Sequence, residues 1–243
     1  MLEKPHLLIA NNTDDVIAWI KKQNCLLNET IEPYPEISSL EKFVTYHYWS
    51  NSESVNVFQV KGTAHPDYIG ITWIDMLKAG KRMPLNLSLL AENPDYYFQK
   101  TKKEPVMHYT KINDKIFISG EGNHRTAIAK VLFYCTGDAI LHGVEYNEYQ
   151  IDFKLKELYE KTKSLLFRKF PHIEIIPENR ILKREDTSGW KKDYYTNYFK
   201  LINHRKNKQI EISGNELETI YMDFSSFNIL KSFFSKSIIK KIL

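Results

Sequence analysis

An α/β (α+β) protein is predicted, and three observations predict it. Short runs of β-branched and aromatic residues alternate with stretches of helical period, most clearly as strand, strand, glycine turn, helix, strand between Val106 and Tyr146. The 243 residues are 42% hydrophobic and 26% charged, a balance that supports a real core and excludes disordered and collagen-like classes. No apolar run reaches the ~18–20 residues of a bilayer crossing. The start Met1–His6, with Glu3 and Pro5, has no apolar leader segment. A cytoplasmic chain without a membrane partner is therefore expected.

Taken in order, Thr13-Asp14-Asp15 starts a helix that carries Ile17, Trp19 and Ile20, its acids near the positive end of the dipole. Pro33 and Pro35 break the chain after it. Phe43–Trp49 and Val55–Val60 read as a hairpin around Asn51-Ser52-Glu53-Ser54. Tyr68–Trp73 reads as extended, Ile74–Ala79 as a short helix stopped at Gly80, and Leu85–Phe98 as a helix interrupted at Pro94. Val106–Thr110 and Lys115–Ser119 pair through the turn formers of Lys111-Ile112-Asn113-Asp114. The helix His124–Tyr134 has a buried stripe of Ile128, Val131, Leu132 and Cys135, and Thr136-Gly137-Asp138 ends it before the strand Ile140–Tyr146. Phe153–Phe167 is a further helix, with Leu155, Leu158, Leu165 and Leu166 as apolar surface. Tyr198–Ile202 and Gln209–Ile212 form a hairpin through Asn203–Lys208, and Ser213-Gly214-Asn215-Glu216 has the pattern of a capping box. A last helix places Phe227, Leu230, Phe233, Phe234, Ile238 and Ile239 on a wide apolar face, expected to pack on the domain or a partner subunit. No internal repeat or low-complexity tract is present.

Two cysteines, Cys25 and Cys135, can build neither a disulfide framework nor a zinc knuckle and are expected as reduced thiols. The charge is uneven: Lys191–Leu243 holds ten Lys/Arg against five Asp/Glu, while the preceding residues are nearly balanced. Within that region Trp190–Lys200 mixes bases with aromatics, a composition that can stack unpaired bases and follow a phosphate backbone. Lys191, Lys192, Arg205 and Lys206 are its candidate nucleic-acid contacts. Half-buried aromatics on a hairpin give the same pattern, and that alternative stands. The eight histidines form no His-Glu-x-x-His cluster, and no Gly-x-Ser-x-Gly elbow is present.

The chemistry concentrates in Ser119-Gly120-Glu121-Gly122-Asn123-His124-Arg125-Thr126, where two of only nine glycines flank one glutamate. A strand that runs through such a turn into a helix offers free backbone N–H groups and the positive end of the dipole. Glycine allows close approach of an anion, and arginine can grip two phosphate oxygens. In outline this is a phosphate site. Ser119, Gly120, Gly122, Asn123 and Thr126 are its candidate binding residues; Glu121, His124 and Arg125 are candidates for the reaction. The turn is neither a Walker A loop nor a Rossmann fingerprint. A tight structural connection, with Glu121 paired to Arg125 on the surface, is the competing reading.

These residues carry a family resemblance. Ile71–Tyr146 resembles the ParB/sulfiredoxin superfamily. Ile71-Thr72-Trp73-Ile74-Asp75-Met76-Leu77 is similar to its early strand and helix, and Glu104-Pro105-Val106-Met107 to the stretch before its hairpin. ParB-type members carry a Gly-Glu-Arg-Arg-x-Arg-Ala box, matched by Gly120, Glu121, Arg125 and Ala127. Sulfiredoxins carry Gly-Gly-Cys-His-Arg, matched by Gly122, His124 and Arg125. Asn123 replaces the sulfiredoxin cysteine, which excludes sulfinic-acid repair. Gly122 and Asn123 replace the paired ParB arginines, and no helix-turn-helix pattern follows Tyr146. The resemblance covers about a third of the chain. It implies a ParB/sulfiredoxin-like core with a mixed sheet at 68–150, an N-terminal elaboration at 1–67, and a C-terminal α+β extension at 151–243 packed on the core.

It also implies the handling of nucleotide phosphates. The leading expectation is an enzyme that binds ATP or another NTP with Mg²⁺ and hydrolyses NTP or DNA phosphodiester bonds. Glu121 would activate water or hold the metal, and His124 and Arg125 would stabilise developing charge. A kinase-like phosphotransferase acting on a hydroxyl is one alternative. A non-catalytic DNA-binding or inhibitory module, such as a plasmid fertility inhibitor, is the other. Oligomeric state stays open.

Overall fold

The computed structural model describes residues 4–23, 25–225 and 242, so the expected C-terminal amphipathic helix, with residues 227–239, lies outside the described residues. The chain is an α/β protein with a mixed sheet. In chain order come helices α1 (Pro5–Asn11) and α2 (Thr13–Lys21), then strands β1 (Glu32–Pro33), β2 (Val44–Asn56) and β3 (Val60–Thr63). Helices α3 (Met76–Ala79) and α4 (Met83–Glu92) lead to β4 (His108–Ile112), β5 (Lys115–Ile118), α5 (Asn123–Thr136) and β6 (Ile140–Ile151). The chain continues through α6 (Phe153–Lys169), β7 (Ile173–Asp186), β8 (Trp190–Asn203), β9 (Lys208–Ser213) and α7 (Leu217–Ser225).

Two compact units result, interleaved in sequence. The first comprises residues 1–35, 48–148 and 186–191, and the second 36–47, 149–185 and 192–243. The sequence reading divides the chain consecutively instead, at 67/68 and 150/151. Each of β2 and β6 gives residues to both units.

In the first unit the strand order is β1-β3-β5-β4-β6-β2. β1 runs parallel to β3 and β3 parallel to β5, whereas β4 and β5 form the expected antiparallel pair. Their turn is closed by Asn113 at φ 51°, a conformation asparagine tolerates better than most residues. α5 is the centre of this unit. Its buried residues run from Asn123 to Phe133, and it packs against α1, α3 and α4. The stripe Ile128, Val131 and Leu132 is fully buried as the periodicity predicts, whereas Cys135 is half-buried. Gly137 at φ 84° ends the helix in the left-handed conformation. Lys130 lies inside this core at 1% exposure, its Nζ donating to Val60 O at 2.9 Å and standing 4.3 Å from the Trp73 ring centroid.

In the second unit β8 pairs with β2, β7 and β9, and β9 is antiparallel to it from Tyr198↔Ser213 to Asn203↔Lys208, the expected hairpin. Tyr159 of α6 packs on Phe43 and Phe199, and α6 packs against α7. The capping box forms, with Ser213 N and Oγ both 2.8 Å from Glu216 Oε2, but it opens a 3₁₀ turn at Gly214–Glu216 before α7 begins.

Several expectations fail locally. The hairpin at residues 43–60 is a single strand, β2, followed by a 3₁₀ turn at Val57–Gln59. None of Asn51, Ser52, Glu53 and Ser54 takes the positive φ that a tight primed turn demands. Tyr68–Trp73 is not a strand, because Pro66 opens a 3₁₀ turn and Gly70 at φ 86° bends the chain. By contrast, the helical stretch read over Leu85–Phe98 is interrupted at Pro94 as expected: α4 ends at Glu92, and a 3₁₀ turn follows at Pro94–Tyr97.

Candidate functional site

β5 ends at Ile118, the chain turns through residues 119–122, and α5 begins at Asn123. His108 pins the turn on both sides: Ser119 N donates to His108 O at 3.1 Å, and His108 N donates to Glu121 O at 3.0 Å. Gly122, at φ 120°, is the N-cap, and no side chain caps the helix. The Thr126 N–H closes the first helical bond to Gly122 O at 2.8 Å. The backbone N–H groups of Asn123, His124 and Arg125 therefore stand in the first turn, where a helix leaves its donors without internal acceptors. Together with the dipole they form an electropositive end.

The side chains around this end are placed less uniformly than the sequence suggests. Asn123 is buried: Thr63 Oγ1 donates to its Oδ1 at 2.5 Å, and its Nδ2 donates to Gly120 O at 3.3 Å. Thr126 is fully buried, its hydroxyl shared between Gly122 O at 2.8 Å and Tyr109 OH at 2.7 Å. Both brace the turn, and their polar atoms are committed. Arg125 turns away from Glu121: its guanidinium donates to Pro105 O, to Val106 O at 3.0 Å and to Tyr96 OH at 2.7 Å. Among the described residues the Glu121 side chain is exposed and makes no hydrogen bond or ion pair, so the surface pairing of Glu121 with Arg125 in the competing reading does not occur. Ser119 is half-buried and Gly120 is exposed, with the His108 ring against it.

His124 Nε2 accepts from Arg82 N at 3.3 Å and lies 3.1 Å from Tyr68 OH. Burial, followed by the charges of Arg82 and His65, holds its pKa below the ordinary histidine value. The ring is thus neutral near neutral pH, and the Arg82 contact leaves its proton on Nδ1. Gly80 makes this packing possible, since a Cβ there would come 2.7 Å from the His124 ring. Tyr68, Gly80, Arg82 and His65 complete the surroundings of the helix end, and sequence reasoning found none of them in this role. Gly80 reads as a helix stop, and nothing in the sequence links it to a ring 44 positions away.

The basic candidates lie towards opposite ends of β8. Lys191 and Lys192 begin β8, whereas Arg205 and Lys206 occupy the exposed turn beyond its end. At ~3.3 Å per residue, Lys192 and Asn203 lie roughly 36 Å apart along the strand. Much of the charge on β7–β9 is paired, as in Arg180 with Glu211, Lys200 with Glu178, and Arg184 with the buried Asp193 at 2.6 Å.

Among the described residues no group of three or more His, Cys, Asp and Glu side chains is placed to hold a metal ion. Mg²⁺ commonly keeps several waters and takes one or two carboxylates with substrate phosphates. Glu121 fits that role for an ion carried in by a phosphate, and a dedicated protein cage does not exist among the described residues. No described helix is long and apolar enough to cross a membrane. Comparison with family models, curated proteins and solved structures finds no match for the chain.

Proposed function

We propose that this chain binds the phosphates of a nucleotide at the Gly120–Arg125 turn and hydrolyses a phosphoanhydride or phosphodiester bond there, as a ParB/sulfiredoxin-like enzyme of the cytoplasm. The uncapped start of α5, with a positive-φ glycine at its N-cap and three first-turn N–H groups, carries the reading. Those donors take phosphate oxygens, while Arg82 raises the local positive potential. An Mg²⁺ ion brought in by a polyphosphate would be held from the protein side by Glu121 and would neutralise part of the phosphate charge. Glu121, the exposed carboxylate of the turn, takes the proton of an attacking water as its oxygen bonds to phosphorus. The P–O bond to the leaving group breaks, and the leaving oxygen keeps the electron pair. A hydroxyl in place of water would make the same chemistry a phosphotransfer. The phosphodiesters of DNA are the macromolecular substrate that fits the reading.

One observation favours a second reading. Arg125, Asn123 and Thr126 spend their side chains on the fold, and this suits a nucleotide-binding module without turnover. Glu121→Gln separates the two. The enzyme reading predicts that ATP with Mg²⁺ raises the Tm of both proteins similarly, while phosphate release falls by ~10²-fold or more in the variant. Phosphate release that survives the substitution removes Glu121 as the base. A thermal shift with no turnover in either protein selects the binding module.

A further inference from the structure

A serine and a histidine that the phosphate turn does not use meet across the neighbouring strands β2 and β6 of the first unit. Ser54 Oγ lies 2.7 Å from His142 Nδ1. Three positions away on each strand, Val57 N donates to Ala139 O at 3.0 Å, so the pair stands on two backbones held together. Asn56 follows Ser54 by two residues on β2 and therefore shares its face. Its Oδ1 accepts from Phe58 N at 3.0 Å, which orients the amide and leaves Nδ2 without a partner among the described residues. Ser54 and Asn56 both line a cavity of about 460 Å³. That size is within the ~300–1,000 Å³ typical of small-molecule sites.

The chemistry of these groups restricts what they can do. A serine hydroxyl is a weak nucleophile until a base within hydrogen-bond reach takes its proton. With the ring proton of His142 on Nε2, its Nδ1 accepts from Ser54 Oγ and is that base. With the proton on Nδ1 the ring donates instead, and the serine is inert. Among the described residues no carboxylate pairs with His142, so the arrangement is a dyad rather than a triad. Lys61 and Lys111 also line the cavity, but Glu29 at 2.8 Å and Glu148 at 3.1 Å match their charges, so the lining calls for no anion. The buried Val55 and Ile116 add apolar lining that suits a small acyl group.

We propose that Ser54 is a nucleophile activated by His142 and that it takes the acyl group of a small uncharged ester bound in this cavity. Ser54 Oγ bonds to the ester carbonyl carbon as its proton passes to His142 Nδ1. The carbonyl electron pair moves onto oxygen, where the Asn56 Nδ2–H group stabilises the negative charge. The carbonyl re-forms and the bond to the alcohol oxygen breaks; that oxygen keeps the electron pair and takes the proton from His142. Water then repeats the sequence on the Ser54 ester and releases the acid. The activity stands apart from the phosphate reading and shares no residue with it.

Diisopropyl fluorophosphate tests the nucleophile directly, because the Ser54 Oγ–P bond forms as the P–F bond breaks and fluoride leaves. The full chain is treated with it and the adduct located by peptide mass mapping. One adduct is expected, on Ser54; it is absent in Ser54→Ala and forms at least ~10²-fold more slowly in His142→Ala. Ser54 is exposed and His142 half-buried, so the fold tolerates both changes, and far-UV circular dichroism checks it. Hydrolysis of 4-nitrophenyl acetate is expected to fall to the buffer rate in Ser54→Ala. Asn56→Asp keeps the acceptor for Phe58 N and removes the donor, and is expected to slow that hydrolysis ~10²-fold. No adduct, an adduct on another residue, labelling as fast in His142→Ala as in the wild type, or ester hydrolysis that survives Ser54→Ala overturns the proposal.

Discussion

Lys130 puts an amine where α5 is most deeply buried, with one carbonyl acceptor and the face of Trp73 as its company. Burial pushes its pKa down to about 7, with Lys61 adding repulsion. A lysine whose folded pKa lies below its unfolded value binds fewer protons when folded, so its contribution to stability rises with pH between about 7 and 10.5 and is least favourable below 7. The shape-matched Lys130→Met lacks this titration. Chemical denaturation at several pH values is expected to show wild type gaining on the variant from pH 7 to 10; parallel curves would mean the amine is not depressed. Around the turn, Gly120, Glu121 and Gly122 were legible because glycine is scarce and their spacing is unusual. The inward roles of Asn123, Arg125 and Thr126 were not, since a polar residue at a helix start reads the same whether it faces a ligand or braces the loop. Their partners, Thr63, Pro105, Val106 and Tyr109, are set by tertiary packing.

At the scale of elements, two glycines hold the strands of the first unit close to their neighbours. A Cβ on Gly62 would lie 2.0 Å from Glu32 O across the parallel β1–β3 pair, and one on Gly143, at φ 71°, would lie 1.9 Å from Thr101 O. Gly70, at φ 86°, faces open space. Gly70→Ala is thus expected to cost only the ~1–2 kcal/mol of backbone strain, and Gly62→Ala and Gly143→Ala to destabilise by clearly more than that, because the added methyl meets backbone atoms. Urea midpoints check the order, and a Gly70→Ala loss as large as the other two would contradict it. The periodic elements α2, α5, α6 and the β4–β5 and β8–β9 pairs were readable from sequence because local pattern and turn chemistry agree there. β7 was not: it contains Pro177, and beyond Ile176 most of its residues are half-exposed or exposed, as befits an edge strand held by ion pairs rather than by an apolar face. β2 was misread because its polar middle looks like a turn, although the strand continues through it.

For the whole molecule, the interleaving of the two units was not legible. Residues 36–47 belong with a unit whose other segments begin at 149, and Asn197 Nδ2 reaches Lys42 O at 2.8 Å across 155 positions. No local pattern encodes pairing over that separation. The separation of basic residues along β8 bears on DNA. Arg205→Ala with Lys206→Ala is expected to flatten the salt dependence of oligonucleotide binding by about 1.8 in log–log slope, two phosphate contacts' worth, while Lys191→Ala with Lys192→Ala changes it little. Fluorescence anisotropy over a salt series checks this, and equal effects from the two pairs would contradict it. The central claim is that nucleotide phosphates sit on the start of α5. Its most direct test is an amide-resolved NMR titration with ATP and Mg²⁺. The account predicts saturable shifts of the Gly120, Glu121, Gly122, Asn123, His124 and Arg125 N–H signals, with those of β9 unmoved; a turn that stays silent while ATP binds elsewhere, or does not bind, would contradict it.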